Sequence, residues 1–166
     1  GFYLLVLLNP ESSVGGFWME LTGASLTFSF SGLVLASIVY SLPFMVQPLH
    51  AAFRAVPAAA MEAAATLGAS SWDRWRNVAL PLAKRGYVTG GVLTFAHTVG
   101  EFGVVLMMGG NIPGETRVLS IAIYEHVETL NYDAAHTLAL GLLCFSFASL
   151  WLVYRYAGHR FEVVRG

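Results

Sequence analysis

From Gly23 to Leu49 the chain carries no Asp, Glu, Lys, Arg or His, and residues 24–46 alone supply 23 consecutive positions of that kind. At ~1.5 Å per helical residue, such a run crosses a hydrocarbon core of ~30 Å with some tilt. This feature constrains the fold most, because it makes the bilayer the expected solvent. Composition agrees: 56% of residues are hydrophobic and 11% charged, where a soluble domain carries roughly 25% charge. Residues 86–108 and 134–154 read as two further spans, with Glu101 the single formal charge inside the first of them. The expected fold class is all-α, a polytopic transmembrane helix bundle forming a single domain over residues 1–166.

The remaining segments read as connections. Phe2–Leu8 is apolar but stops at Asn9–Pro10, about a third of a core thickness, and reads as the outer end of a spanning helix whose start is missing, so the expectation is an N-terminally truncated bundle. No basic region precedes it, so a secretory signal fits poorly. Residues 9–22, with Glu11, Glu20 and Trp18, read as a short outer loop. Pro43 and Pro48 are expected to kink or break the inner end of the first full span. In the 109–133 connection, residues 117–130 have a helical, mostly apolar pattern suited to a helix resting on the bundle or in the interface.

Charge placement sets orientation. Arg54, Arg74, Arg76, Lys84 and Arg85 lie in residues 50–85, and Arg155, Arg160 and Arg165 in the C-terminal tail, while Arg117 is the one basic residue elsewhere. By the positive-inside rule, residues 50–85 and the tail are expected to be cytoplasmic. The formal net charge of −1 gives no reason to expect a nucleic-acid partner. Cys144 is the only cysteine, so the chain can build neither a disulfide nor a cysteine metal site.

The cytoplasmic insert has its own architecture. Pro57 suits a first helical turn, the alanines after it favour helix, and Gly68 fits the left-handed position that closes one. Ser70 and Asp73 read as a capping box for a second short helix, which Pro81 is expected to end. Within the insert stand Glu62-Ala63-Ala64, three residues, Gly68, nine residues, Val78, one residue and Leu80-Pro81. This resembles the EAA loop of ABC importer permeases at every position of the pattern, with Val78 where isoleucine is common. The resemblance implies a type I ABC importer permease fold. It also implies that Glu62, Ala63, Ala64, Gly68, Val78, Leu80 and Pro81 belong to a coupling element seated on a separate ATP-hydrolysing subunit. An ordinary amphipathic loop lying on the membrane surface is the alternative.

Inside the 86–108 span, Thr94, His97, Thr98 and Glu101 recur at helical spacing and are expected on one face, with Gly90 and Gly91 extending it. Such a face lines an aqueous path or glues packed helices together. Glu101 is expected to pair with Arg117 or with an arginine from a missing segment, since an unpaired carboxylate at that depth is costly. His97 and Glu101 could share a metal, but two ligands do not make a site and no His-Glu-x-x-His is present, so no metal is expected.

Residues 97–128 carry a narrower resemblance. Gly100-Glu101-Phe102-Gly103, the run Asn111 to Arg117, and Tyr40 to Leu49 upstream look like the corresponding segments of molybdate ABC transporter permeases. Sulfate and thiosulfate permeases share a looser version, and tungstate is a further alternative cargo. The resemblance implies a homodimer of permeases in the bacterial inner membrane. Its partners would be an ABC ATPase, an extracytoplasmic molybdate-binding protein and membrane lipid. No glycine loop of the phosphate-binding type G-x-x-x-x-G-K-S/T is present, so ATP hydrolysis would lie on the partner, and neither catalytic residues nor a cofactor are expected. An intramembrane metal-dependent enzyme is the distant alternative, with only His97 and Glu101 to serve it.

Overall fold

The computed structural model describes residues 1–159 and is helical, with no strand among the described residues. Arg160 and Arg165, which the charge argument places in a cytoplasmic tail, lie outside the described residues. The helices are α1 (Phe2–Leu8), α2 (Ser13–Thr22), α3 (Phe30–Arg54), α4 (Ala58–Thr66), α5 (Ser71–Arg74), α6 (Leu80–Leu82), α7 (Lys84–Gly100), α8 (Gly103–Gly109), α9 (Leu119–Glu128) and α10 (Tyr132–His159), with a π-helical stretch, Trp75–Ala79, between α5 and α6.

Three segments differ from the sequence expectation. Residues 9–22 hold helix α2, whose start is fixed by the Ser12 hydroxyl accepting from the Gly15 amide at 2.9 Å. The first full span is α3, which starts at Phe30 rather than residue 24 and runs on to Arg54. Ser29 holds that start, its hydroxyl accepting from the Gly32 amide at 3.2 Å, and α3 continues through both Pro43 and Pro48. Each proline removes one backbone bond, but in hydrocarbon a broken helix would expose many more polar groups. The 86–108 segment, by contrast, is broken: α7 ends at Gly100, α8 begins at Gly103, and the two are bent by 61°. By length and composition, α3 and residues Tyr132–Arg155 of α10 are long and apolar enough to cross a membrane, and the bent pair α7–α8 makes a third if it is one span.

The described residues divide into two compact units, Gly1–Ser41 with Ala96–Tyr156, and Leu42–Phe95 with the last residues of α10. The first has a core of Leu8, Leu26, Ala36, Val104 and Met108, joined on its flank by Leu4, Leu5 and Trp18. A second cluster, Leu33, Val105 and Ile121, is covered by Phe102, Leu106 and Val118 and ties α9 onto α3 and α8. None of the apolar window of α10 is buried within the chain.

In the second unit, α3 and α7 approach closely because glycine permits it. A Cβ on Gly86 would meet the Ala52 side chain and lie 2.9 Å from the Pro48 carbonyl oxygen. One on Gly90 would lie 2.7 Å from Met45 Sδ and 3.1 Å from the Met45 carbonyl oxygen. Gly86 and Gly90, four apart, thus form the small-residue seam that membrane helices use to pack. Gly91 has open space around its Cβ position, so of the two glycines expected on one face only Gly90 packs against α3. The contrast is testable: Gly90→Leu should lower the melting temperature of the detergent-solubilised protein and its membrane level, whereas Gly91→Ala should change neither. Equal effects of the two would contradict the packing.

Candidate functional site

Two sites merit building from their residues, the insert of the second unit and a buried polar cluster of the first. In the insert, α4 closes with both bonds of a Schellman turn. The Ala69 amide donates to the Ala64 carbonyl at 3.1 Å and the Gly68 amide to the Ala65 carbonyl at 2.9 Å. Gly68 itself sits at φ +84° with nothing within 4 Å of its Cβ position, so its requirement is conformational and not steric. The glycine and the alanines before it are therefore one device, a helix stop whose acceptors are the carbonyls of Ala64 and Ala65.

The second helix of the insert opens on a reciprocal pair. Ser70 Oγ accepts from the Asp73 amide at 3.1 Å and donates to Asp73 Oδ2 at 2.7 Å. Pro81 does not end this helix as expected. The backbone widens into the π-helical stretch before it, with the Leu80 amide donating to the Trp75 carbonyl, and α6 then carries the chain on to Leu82. A wider turn is the way to keep a proline ring clear of the carbonyl four residues back while the helix goes on. Trp72 and Trp75 stack on the outside with centroids 4.9 Å apart, and both are exposed, as are Glu62, Ala63, Leu67 and Gly68. A cavity of about 520 Å³ is lined by Val56, Pro57, Pro81 and Leu82 together with the basic Lys84 and Arg85. The insert thus presents apolar and aromatic surface next to basic side chains.

In the first unit the polar residues of α3 and α7 meet. Ser41, 1% exposed, lies 3.1 Å from His97 Nδ1 and 3.0 Å from Thr98 Oγ1, bridging the two helices. The Tyr40 and His97 rings stand 5.3 Å apart between centroids. Glu101 falls in the break, just past the end of α7 at Gly100, and lines the same cavity as His97. Two glycines within four residues weaken helix there, and the carbonyl of Glu101 accepts the Ser120 hydroxyl at 2.7 Å instead of an amide of the next turn. Thr94 belongs to the other unit.

Glu101 is also not paired with Arg117. Arg117 Nη2 lies 3.2 Å from Glu125 Oε2, and its Nε donates to Asn111 Oδ1 at 2.9 Å. Asn111 Nδ2 in turn donates to Glu125 Oε2 at 3.3 Å. Thr116, 1% exposed, donates to the Gly109 carbonyl and accepts from the Ile112 amide at 3.0 Å. The run from Asn111 to Arg117 is thus a self-bonded turn locked onto α9, in which Asn111 and Gly114 take positive φ. Ser41, Ser120, Thr116 and Glu125 are the residues that sequence reasoning missed. Serines and threonines in apolar runs are the available signal, but the partners of Ser41 and Ser120 lie far along the chain. No group of three or more His, Cys, Asp or Glu side chains is placed to hold a metal among the described residues.

With this geometry in hand, similarity to known proteins becomes informative. Residues 2–159 match the family model described as "Binding-protein-dependent transport system inner membrane component". The chain is 51% identical over 154 residues to the molybdenum transport system permease protein ModB of Azotobacter vinelandii, covering 93% of this chain and 68% of the relative. It is 38% identical over 129 residues to the protein of the same name in Escherichia coli K12, covering 78% of this chain and 56% of the relative. A probable sulfate transport system permease protein, cysT of Chlorella vulgaris, is 31% identical over 163 residues, covering 98% of this chain and 61% of the relative. The chain therefore spans between about half and two thirds of the length of these relatives. Its helical architecture and its match along residues 2–159 make it a member of the family of binding-protein-dependent transport system inner membrane components, with the fold of type I ABC importer permeases.

Proposed function

We propose that this chain is part of the membrane-spanning permease of an ATP-driven molybdate importer, and that residues 57–85 couple it to a separate ATPase subunit. The observation that carries the cargo is the 51% identity to a molybdenum transport permease over 93% of the chain. The 31% identity to a probable sulfate permease supports sulfate as the second reading. Both are tetrahedral oxyanions, so one pathway chemistry serves either.

In this reading two copies of the permease form the pathway, and the unburied apolar length of α10 supports a surface met by lipid or by a second copy. Residues 50–85 face the cytoplasm, supported by Arg54, Arg74, Arg76, Lys84 and Arg85. An extracytoplasmic binding protein delivers the oxyanion from the other side. Closure of the ATPase on ATP draws the inserts together and turns the bundles outward; hydrolysis and release reverse the motion. Glu62, exposed near the centre of α4, is available to a basic residue of the ATPase. Val78 and Leu80 are half-buried in the second half of the insert, and Pro81 follows the wide turn through which motion of the insert would reach α7.

Two measurements test this. Uptake of labelled molybdate by the full-length permease with its partners should require ATP and be competed by tungstate far more than by sulfate; strong competition by sulfate would move the assignment to the second reading. Gly68→Val should leave membrane insertion intact but uncouple ATP hydrolysis from uptake, because a left-handed backbone at a residue with a side chain costs roughly 1–2 kcal/mol and more when β-branched. Gly68→Asn should retain more transport than Gly68→Val, and wild-type uptake by Gly68→Val would contradict the role given to this turn.

A further inference from the structure

Arg117 is the only lysine or arginine outside residues 50–85 and the C-terminal tail. Its Nε donates to Asn111 Oδ1 at 2.9 Å, which fixes the orientation of that amide and turns its Nδ2 toward α9. Arg117 Nη2, at 3.2 Å, and Asn111 Nδ2, at 3.3 Å, then converge on a single atom, Glu125 Oε2. Two donors from one turn meeting at one anionic oxygen make a cradle for such an oxygen. Glu125 fills it from α9.

The donors are held firmly and the occupant is not. Asn111 takes φ +55°, the Ile112 carbonyl accepts the amides of Glu115, Thr116 and Arg117 at 3.0 to 3.2 Å, and the buried Thr116 hydroxyl ties the turn to the Gly109 carbonyl. The Arg117 and Glu125 side chains, by contrast, are 33% and 40% exposed. An ion pair so exposed adds little stability, and a carboxylate that leaves it is taken up by water. A tetrahedral oxyanion presents oxygens of the same kind with more charge behind them, so it can compete for the guanidinium fork. Glu115 in the turn and Glu128 one turn along α9 repel an anion and keep the hold weak. Weak holding suits a place that a cargo must leave again.

We infer that Arg117 and Asn111 form a weak binding site for a tetrahedral oxyanion, in which Glu125 is a resident carboxylate that the anion displaces. This rests on the transport reading, which supplies an oxyanion on the side opposite residues 50–85, where the positive-inside rule puts residues 109–133. No covalent bond changes. An oxygen of the anion takes the place of Glu125 Oε2, and the freed carboxylate is hydrated.

A resident competitor and a structural pin predict opposite signs when the charge of Glu125 is removed. The test uses the full-length permease with its ATPase in lipid, with equilibrium binding of labelled molybdate measured before the binding protein is added and ATP-driven uptake after. E125Q should bind molybdate about threefold more tightly than wild type, the factor that loss of a partly exposed ion-pair competitor allows. R117K keeps the charge but loses the fork and the bond to Asn111, and should bind about tenfold more weakly. Asn111→Gly keeps a left-handed backbone and removes the second donor, so it should weaken binding without lowering the melting temperature. Binding by E125Q that is weaker than or equal to wild type, or R117K and Asn111→Gly both equal to wild type, would overturn the site while uptake by wild type left the transport reading standing. Sulfate bound in the same order of variants, with molybdate bound by none, would support the site and overturn molybdate as the cargo. Uptake of neither anion by wild type would overturn the transport reading and the site with it.

Discussion

A backbone in hydrocarbon must satisfy its own polar groups, and the rest of this structure follows from how it does so. Helix α3 carries two prolines without ending, since continuing is less costly than stopping inside lipid. Where the chain does break, at residues 101–102, a side chain from another element arrives: Ser120 takes the carbonyl of Glu101. Thr116 does the same for the carbonyl of Gly109 where α8 ends. Polar side chains in the first unit thus act largely as substitutes for backbone donors.

This explains which parts of the fold were legible in the sequence. The helix caps of the 57–85 insert were legible, because a glycine helix stop and a capping box are local devices whose residues lie within a few positions of each other, whereas Pro81 did not stop its helix. Gly68 at φ +84° and Ser70 with Asp73 are where the pattern put them. Long apolar runs likewise announced α3 and α10. The broken span was not foreseen, since residues 86–108 carry no formal charge except Glu101, and hydropathy does not register two glycines flanking one acid. The polar face drawn through Thr94, His97, Thr98 and Glu101 assumed one unbroken helix, whereas the helix ends before Glu101 and Thr94 lies in the other unit. Arg117 was assigned to Glu101 by charge alone, whereas Asn111 and Glu125 hold it through a turn that depends on positive φ at Asn111 and Gly114.

The two candidate sites also differ in kind. The insert carries exposed stacked tryptophans, and apolar and basic residues together line a cavity of it. The cluster around Ser41, His97 and Glu101 is more enclosed, with Ser41 and Glu101 buried and His97 partly so. Helices α3 and α7 each contribute to both units.

The central claim is that this chain transmits the work of a separate ATPase to oxyanion movement. The most direct measurement is ATP hydrolysis by the full-length permease assembled with its ATPase in liposomes, with molybdate-loaded binding protein supplied on the side opposite the nucleotide. The account predicts that the loaded binding protein stimulates hydrolysis only when the permease is present. Hydrolysis indifferent to the loaded binding protein, or molybdate crossing at full rate without ATP, would contradict it.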